Sequence, residues 1–322
     1  MMHGQLQTIL DRAWQDIAAN GCPLAIGVDA AANEDNWGVC ILILSADLQS
    51  AQMPILLPQQ RINATGQVSP TLLCRPTKQV LLRLLEYITS LNLPASIGVD
   101  VPFGWPDAHR EFVEHWTATG GWLNSKPIPD RTDFETRLCD IELRKRYPFI
   151  RPLAVGADTI AQAAFCWSQV RQELGQFPIE VDVGLSQAQQ PLALFETYPG
   201  AFVKLSVSDF GNYKRKPEVR RELLRALRTQ YDLALDVNQT DWLDWSCEQR
   251  GSPDAFDSFL CALTAWDHLR HRRFPGSVSL TTPSTILHRP VTTTEAERIN
   301  REGWILVRNE SFGMEAHKSP DS

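Results

Sequence analysis

The chain has 322 residues, 43% hydrophobic and 21% charged, with a formal net charge of −7. That is the composition of an ordinary soluble globular protein. It excludes a protein that coats nucleic acid through global positive charge, while leaving room for a local basic face. Seven cysteines, at 22, 40, 74, 139, 166, 247 and 261, are odd in number and form no CxxC pair. A zinc ribbon or a disulfide framework is therefore not expected, and reduced thiols in a cytoplasmic protein are. The N-terminal stretch lacks the basic and apolar regions of a secretory signal. No run approaches the roughly 18 apolar residues of a membrane span, so no membrane partner is expected.

Leu6, Ile9, Leu10, Ala13, Trp14 and Ile17 recur at helical spacing and predict an N-terminal helix within residues 1–21, ending near Asn20-Gly21. Strands are predicted at 24–29, 37–44 and, more weakly, 53–57. A helix over 77–91 and a strand over 96–101 follow, giving the order β-β-β-α-β. Residues 102–152 are polar and proline-punctuated, with one helix expected from Asp133 to Arg146. Further on come a helix at 157–172, a strand at 192–197 stopped by Tyr198-Pro199-Gly200, and a basic helix at 217–230. The last long helix runs from Pro253 to about Leu269, with Ser252 as its cap. A short strand over 303–307 precedes a polar, flexible tail at 311–322. One domain over 22–310 with a large helical insertion around 107–250 is the preferred organisation.

Two segments repeat one pattern. Ala25-Ile26-Gly27-Val28-Asp29 and Ile97-Gly98-Val99-Asp100 are apolar strands that end on a carboxylate. Open α/β sheets place ligands at such edges, although an aspartate after a strand also caps turns. Gly27 lets another backbone come close. Asp254 and Asp257 share a face of the last helix. Asp254 could simply complement the helix dipole. Asp257 sits among Ala255, Phe256, Phe259, Leu260 and Ala262, where a charge is costly without a partner. Glu196 is a further strand-end acid, suited either to the same cluster or to an arginine. Arg137, Asp140 and Arg144, with Arg131 upstream, read from spacing as a solvated, salt-bridged face; the functional reading is phosphate contact. Residues 214–228 hold seven basic and two acidic side chains, a local charge of +5, which could track a nucleic-acid backbone.

IGVDxxxxxxxWG, IGVDVPFGWP, RTDFETRLCDIELR, FETYPGA, DAFDSFLCALTAW and EGWILV occur in an order that resembles the family catalogued as domain of unknown function 429. The resemblance covers roughly residues 24–308. It implies an α/β, RNase H-like mixed sheet flanked by helices, and a predicted nuclease activity. The helix DAFDSFLCA also resembles the last acidic helix of RuvC-type resolvases. Carried over, Asp29 matches the first-strand acid, Asp100 the fourth-strand position, and Asp254 and Asp257 the last-helix pair. Glu196, Arg137, Asp140 and Arg144 match positions typical of the family.

The expected chemistry is therefore a carboxylate two-metal site for phosphodiester hydrolysis with Mg²⁺ or Mn²⁺. Asp29, Asp100, Asp254 and Asp257 are the candidate catalytic residues. Asp29, Asp100, Asp257 and Glu196 are the candidate metal ligands, and Arg131, Arg137 and Arg144 the candidate substrate contacts. Two alternatives stand beside it. A non-catalytic scaffold would pair the acids with Arg131, Arg137 or Arg144. An actin-like or sugar-kinase-type Mg-nucleotide phosphotransferase is less favoured, because the first loop, AAANEDN, lacks the glycines and hydroxyls that cradle phosphates.

Overall fold

A computed structural model describes residues 21–309 apart from 32–36, 57–58, 63–67, 72–76, 120–130, 153, 156–157, 186–188, 208–209, 211, 232 and 235–252. The expected N-terminal helix, the Ser252 cap and the tail lie outside the described residues.

The strands are β1 (Leu24–Asp29), β2 (Gly38–Leu44), β3 (Ala51–Leu56), β4 (Gln59–Ile62), β5 (Val68–Thr71), β6 (Ala95–Asp100), β7 (Ile179–Val181), β8 (Leu192–Glu196) and β9 (Leu233–Ala234). The helices are α1 (Thr77–Ser90), α2 (Asp107–Thr119), α3 (Arg131–Glu135), α4 (Leu138–Arg146), α5 (Asp158–Leu174), α6 (Pro199–Ser206), α7 (Pro217–Gln230), α8 (Pro253–Arg273), α9 (Pro283–Leu287) and α10 (Thr293–Glu302). Seven strands form one mixed sheet in the order β7-β8-β6-β1-β2-β3-β9, and β4 and β5 form a separate ribbon. β1, β2 and β3 pair antiparallel. β6 is parallel to β1, and β8 is parallel to β6. β1 is thus central, with its C-terminal end beside that of β6.

The sheet is covered on both faces. Leu24, Ile26 and Val28 of β1, with Ala95, Ile97 and Val99 of β6, pack with Leu81, Leu85 and Ile88 of α1 and Trp167 and Val170 of α5. The alternate residues face α8, whose Phe256, Phe259, Leu260, Leu263 and Trp266 are fully buried. Burial of each such side chain is worth about 1.5–3 kcal/mol. α8 therefore anchors the fold as its central helix, apolar on nearly every side.

The structure departs from the predicted elements where tertiary contacts override local pattern. The single helix expected from Asp133 to Arg146 is two, α3 and α4. Arg137 is extended (φ −80°, ψ 166°) and caps α4, its own N–H donating to the Asp140 carboxylate at 3.1 Å. Tyr198-Pro199-Gly200 does stop the strand, and it also opens α6, a helix not predicted, with Pro199 in its first turn. The helix α2, the ribbon β4–β5, strands β7 and β9, and α9 and α10 carried too weak a local signal to be predicted. The segment expected as a strand at 303–307 makes only isolated bridges, Ile305 to Glu196 and Arg308 to Leu280.

Candidate functional site

Asp29 and Asp100 are register partners on adjacent parallel strands. Strand alternation turns both carboxylates toward α8, the face opposite Val28 and Val99. Neighbouring strands lie about 4.8 Å apart, so two acids meet at the C-terminal edge of the sheet.

Glycines bring the third and fourth acids to them. A Cβ on Gly27 would lie 1.9 Å from the Ser258 carbonyl oxygen and 2.2 Å from the Ala262 nitrogen. One on Gly98 would lie 2.9 Å from the Cys261 carbonyl oxygen, and one on Gly38 2.6 Å from that of Asp254. Gly38 is the β2 register partner of Asp29. The α8 backbone thus lies directly on three strands, at a distance no side chain would permit. That close approach sets Asp254 and Asp257, one helical turn apart, over the ends of β1 and β6.

A lysine completes the group. Lys214 Nζ is 2.5 Å from Asp257 Oδ2, and the Tyr213 hydroxyl donates to Asp257 Oδ1 at 2.7 Å. Both come from the turn before α7, where Asn212 takes a left-handed conformation (φ 72°) that asparagine tolerates. The buried guanidinium of Arg220 donates to the carbonyl oxygens of Tyr213 (2.9 Å) and Lys214 (3.0 Å), fixing that turn from α7.

The electrostatics are those of crowded negative charge. Burial, then Asp257, Asp100 and Asp254, hold the Asp29 carboxyl well above the usual carboxylate range, and Lys214 only partly offsets them. Burial pushes Asp100 up to about 7, with Lys214 opposing and Asp257 and Glu196 adding to the rise. Burial disfavours the Lys214 ammonium, but Asp257, Asp100 and Asp29 outweigh it and raise its pKa. Neither Asp29 nor Asp100 has a hydrogen-bond partner among the described residues. Tyr198 lines the same region, its phenol raised by burial and by Asp100. The buried Thr197 hydroxyl, one residue past the β8 pairing partner of Val99, has no hydrogen-bond partner among the described residues.

Other candidates stand elsewhere. Glu196 projects to the opposite face of the sheet, where its oxygens accept from Arg137 at 2.6 Å each and from the Phe103 N–H at 3.0 Å. Arg137 is 2% exposed, and all five of its N–H donors are used, on Asp140, Glu196 and the Glu302 carbonyl oxygen. The spacing suggested a solvated face; burial makes it an internal ion network with no donor left for phosphate. Arg131 is exposed and paired with Glu135 at 2.9 Å. Arg144 is exposed and donates to the Pro152 carbonyl oxygen at 3.3 Å.

The Glu196–Arg137 network serves the site indirectly. It holds the loop after Asp100, whose Phe103 carbonyl oxygen also accepts from Arg171 at 2.8 Å and whose ring stacks on Trp167. A Cβ on Gly104 in that loop would meet the Arg301 carbonyl oxygen at 2.2 Å. The proline- and glycine-rich loop is thus locked against α5 and α10, and it fixes the strand end that carries Asp100.

Sequence reading missed Tyr213 and Thr197, named Tyr198 only as part of a strand stop, and placed Lys214 and Arg220 only as members of a basic run. Among the described residues no three His, Cys, Asp or Glu side chains surround one point as a ready metal cage. Nor is any described helix long and apolar enough to cross a membrane. No curated protein and no solved structure matches the chain. Residues 27–284, which include Asp29, Asp100, Asp254, Asp257 and Lys214, match one family over well more than half of the chain: the protein belongs to the family described as Protein of unknown function (DUF429).

Proposed function

We propose that this chain is a divalent-metal-dependent phosphodiester hydrolase, with nucleic acid as the substrate class, built on an RNase H-like sheet. An antiparallel β1–β2–β3 meander followed by the parallel strands β6 and β8, with β1 central, supports the fold assignment. The observation that carries the function is the meeting of Asp29 and Asp100, in register and with carboxylates that have no hydrogen-bond partner among the described residues, under Asp254 and Asp257 of α8.

The donor set fits a hard cation. Asp29, Asp100 and Asp257 act on one ammonium, and Asp254 adds to the charge around Asp29, so the group carries excess negative charge when ionised. Burial and mutual repulsion hold Asp29 and Asp100 toward the protonated form. Asp29, Asp100 and Asp257, with Asp254, are the residues that would hold Mg²⁺ or Mn²⁺, which prefer carboxylate oxygens. When bound, such ions supply an activated water and stabilise a leaving oxygen. The chain's own contribution is placement: β1 and β6 fix two acids by register, α8 fixes two by close packing, and the Tyr213 hydroxyl orients Asp257. Downstream of Lys214, Arg215, Lys216, Arg221 and Arg225 are exposed, while Leu223, Leu224 and Leu227 of α7 are buried. This basic face adjoins the acids and suits a phosphate backbone.

The scaffold reading needs the acids neutralised by arginine. Of the candidate acids, Glu196 is. Among the described residues Asp29 and Asp100 are not. The test is Mn²⁺ titration by calorimetry on the wild type and on the Asp29→Asn/Asp257→Asn double variant, alongside metal-dependent cleavage of labelled single- and double-stranded nucleic acids. Saturable binding and cleavage, both lost in the variant, are expected. Binding that survives in the variant would refute the site.

A further inference from the structure

We infer that Lys214 is a displaceable internal counter-ion. Its ammonium holds the acid group together before metal arrives, and must leave Asp257 for a divalent cation to enter. The inference rests on the metal-dependent reading above and adds a residue that sets the metal affinity.

The geometry separates Lys214 from its neighbours. Arg137 is locked by five donors on three partners and cannot move without breaking a buried network. Lys214 is fixed only at its backbone, by Arg220 on its carbonyl oxygen and on that of Tyr213. Its side chain is 48% exposed, and among the described residues its one direct ion pair is with Asp257. A four-carbon stem with an anchored base and a single charged contact can swing outward without disturbing the fold. Asp257, by contrast, is 2% exposed and stays on α8, held by the Tyr213 hydroxyl. The acid is immobile and the cation is mobile, as exchange of one cation for another requires. Metal entry would leave Asp257 with the same Tyr213 donor and a new cation. The ammonium would then stand at the mouth of the site beside Arg215 and Lys216, where an anionic oxygen of the substrate is its natural partner.

Competition of this kind has a measurable sign. A unit charge at contact distance from a ligand acid opposes a second cation there, so its removal should tighten Mn²⁺ binding by roughly tenfold or more. Three chains are compared by Mn²⁺ calorimetry: wild type, Lys214→Met and Lys214→Arg. Lys214→Met should bind more tightly than wild type, and Lys214→Arg no more tightly than wild type. A second readout needs no variant. Acylation of Lys214 by an amine-reactive ester, followed by peptide mass spectrometry, should increase when Mn²⁺ is added.

Binding to Lys214→Met but not to wild type also supports the inference. Equal Mn²⁺ affinities in wild type and Lys214→Met, with unchanged acylation, would overturn it while leaving the hydrolase reading intact. No Mn²⁺ binding by any of the three chains would overturn both.

Discussion

Replacement of Asp100 by asparagine should stabilise the metal-free protein at neutral pH. The substitution keeps shape and removes charge from a carboxyl that burial pushes from 3.8 to about 7. A group whose folded pKa lies above its unfolded one binds more protons in the native state between those values, so its contribution is full below about pH 4 and is lost as pH rises through about 7. At about 1.4 kcal/mol for each tenfold change in proton affinity, that rise sets a ceiling near 4 kcal/mol. Water at the mouth of the site reduces this, and about 2 kcal/mol is the working expectation. Urea midpoints should be measured for wild type and Asp100→Asn in EDTA at pH 4.5 and pH 8. The variant should match wild type at pH 4.5 and exceed it at pH 8. The comparison must be made at each pH, because His268 acts in the opposite direction. Burial lowers its pKa from 6.5, so its contribution to stability is lost as pH falls. A variant that is less stable than wild type by the same amount at both pH values would refute the reasoning, since Asp100 would then be a satisfied structural carboxylate.

Arg137→Met should destabilise by about 3–5 kcal/mol, because Glu196 and Asp140 are left buried without their cation; thermal melts check this, and a loss under 1 kcal/mol would mean that both acids find other partners. Gly27→Ala should cost at least about 3 kcal/mol, since the added carbon meets the α8 backbone rather than a movable side chain; urea midpoints report it, and tolerance would mean α8 can lift off β1. Tyr213→Phe removes one donor to the Asp257 carboxylate and should cost about 1.5–3 kcal/mol at pH 8, read by the same melts.

The strand-end acids were legible because each lies at the end of an apolar run, a local pattern that survives without tertiary information. Gly27 was legible as a place of close backbone approach, and the backbone that arrives is α8 between Ser258 and Ala262. Asp257 was legible as a charge needing a partner. The identity of that partner was not, because a lysine folded back onto an acid looks the same in sequence as one pointing into solvent. Arg137 and Asp140 were misjudged for the complementary reason. An i, i+3 ion pair looks the same whether its face is wet or buried, and only the packing of α4 against Glu196 and Glu302 decides. The short helices α9 and α10 and the strands β7 and β9 are stabilised by what they pack on, so their local pattern is weak.

The same contacts that build the core also create the charge problem. Gly27, Gly38 and Gly98 let α8 lie on the sheet, and that close packing buries Phe256, Phe259 and Leu260. It also carries Asp254 and Asp257 to the ends of β1 and β6. Moving the acids apart would require lifting the helix and losing the core. The repulsion among them is therefore sustained by hydrophobic burial, and Lys214 relieves only part of it. A fold selected for stability alone would place an asparagine or a second fixed cation at the end of β1 or β6. Retention of carboxylates at Asp29 and Asp100 makes sense if a diffusible cation supplies the missing charge. On this argument the apparent strain is the site's affinity for that cation, and Asp100→Asn should gain stability by the mechanism through which it loses metal.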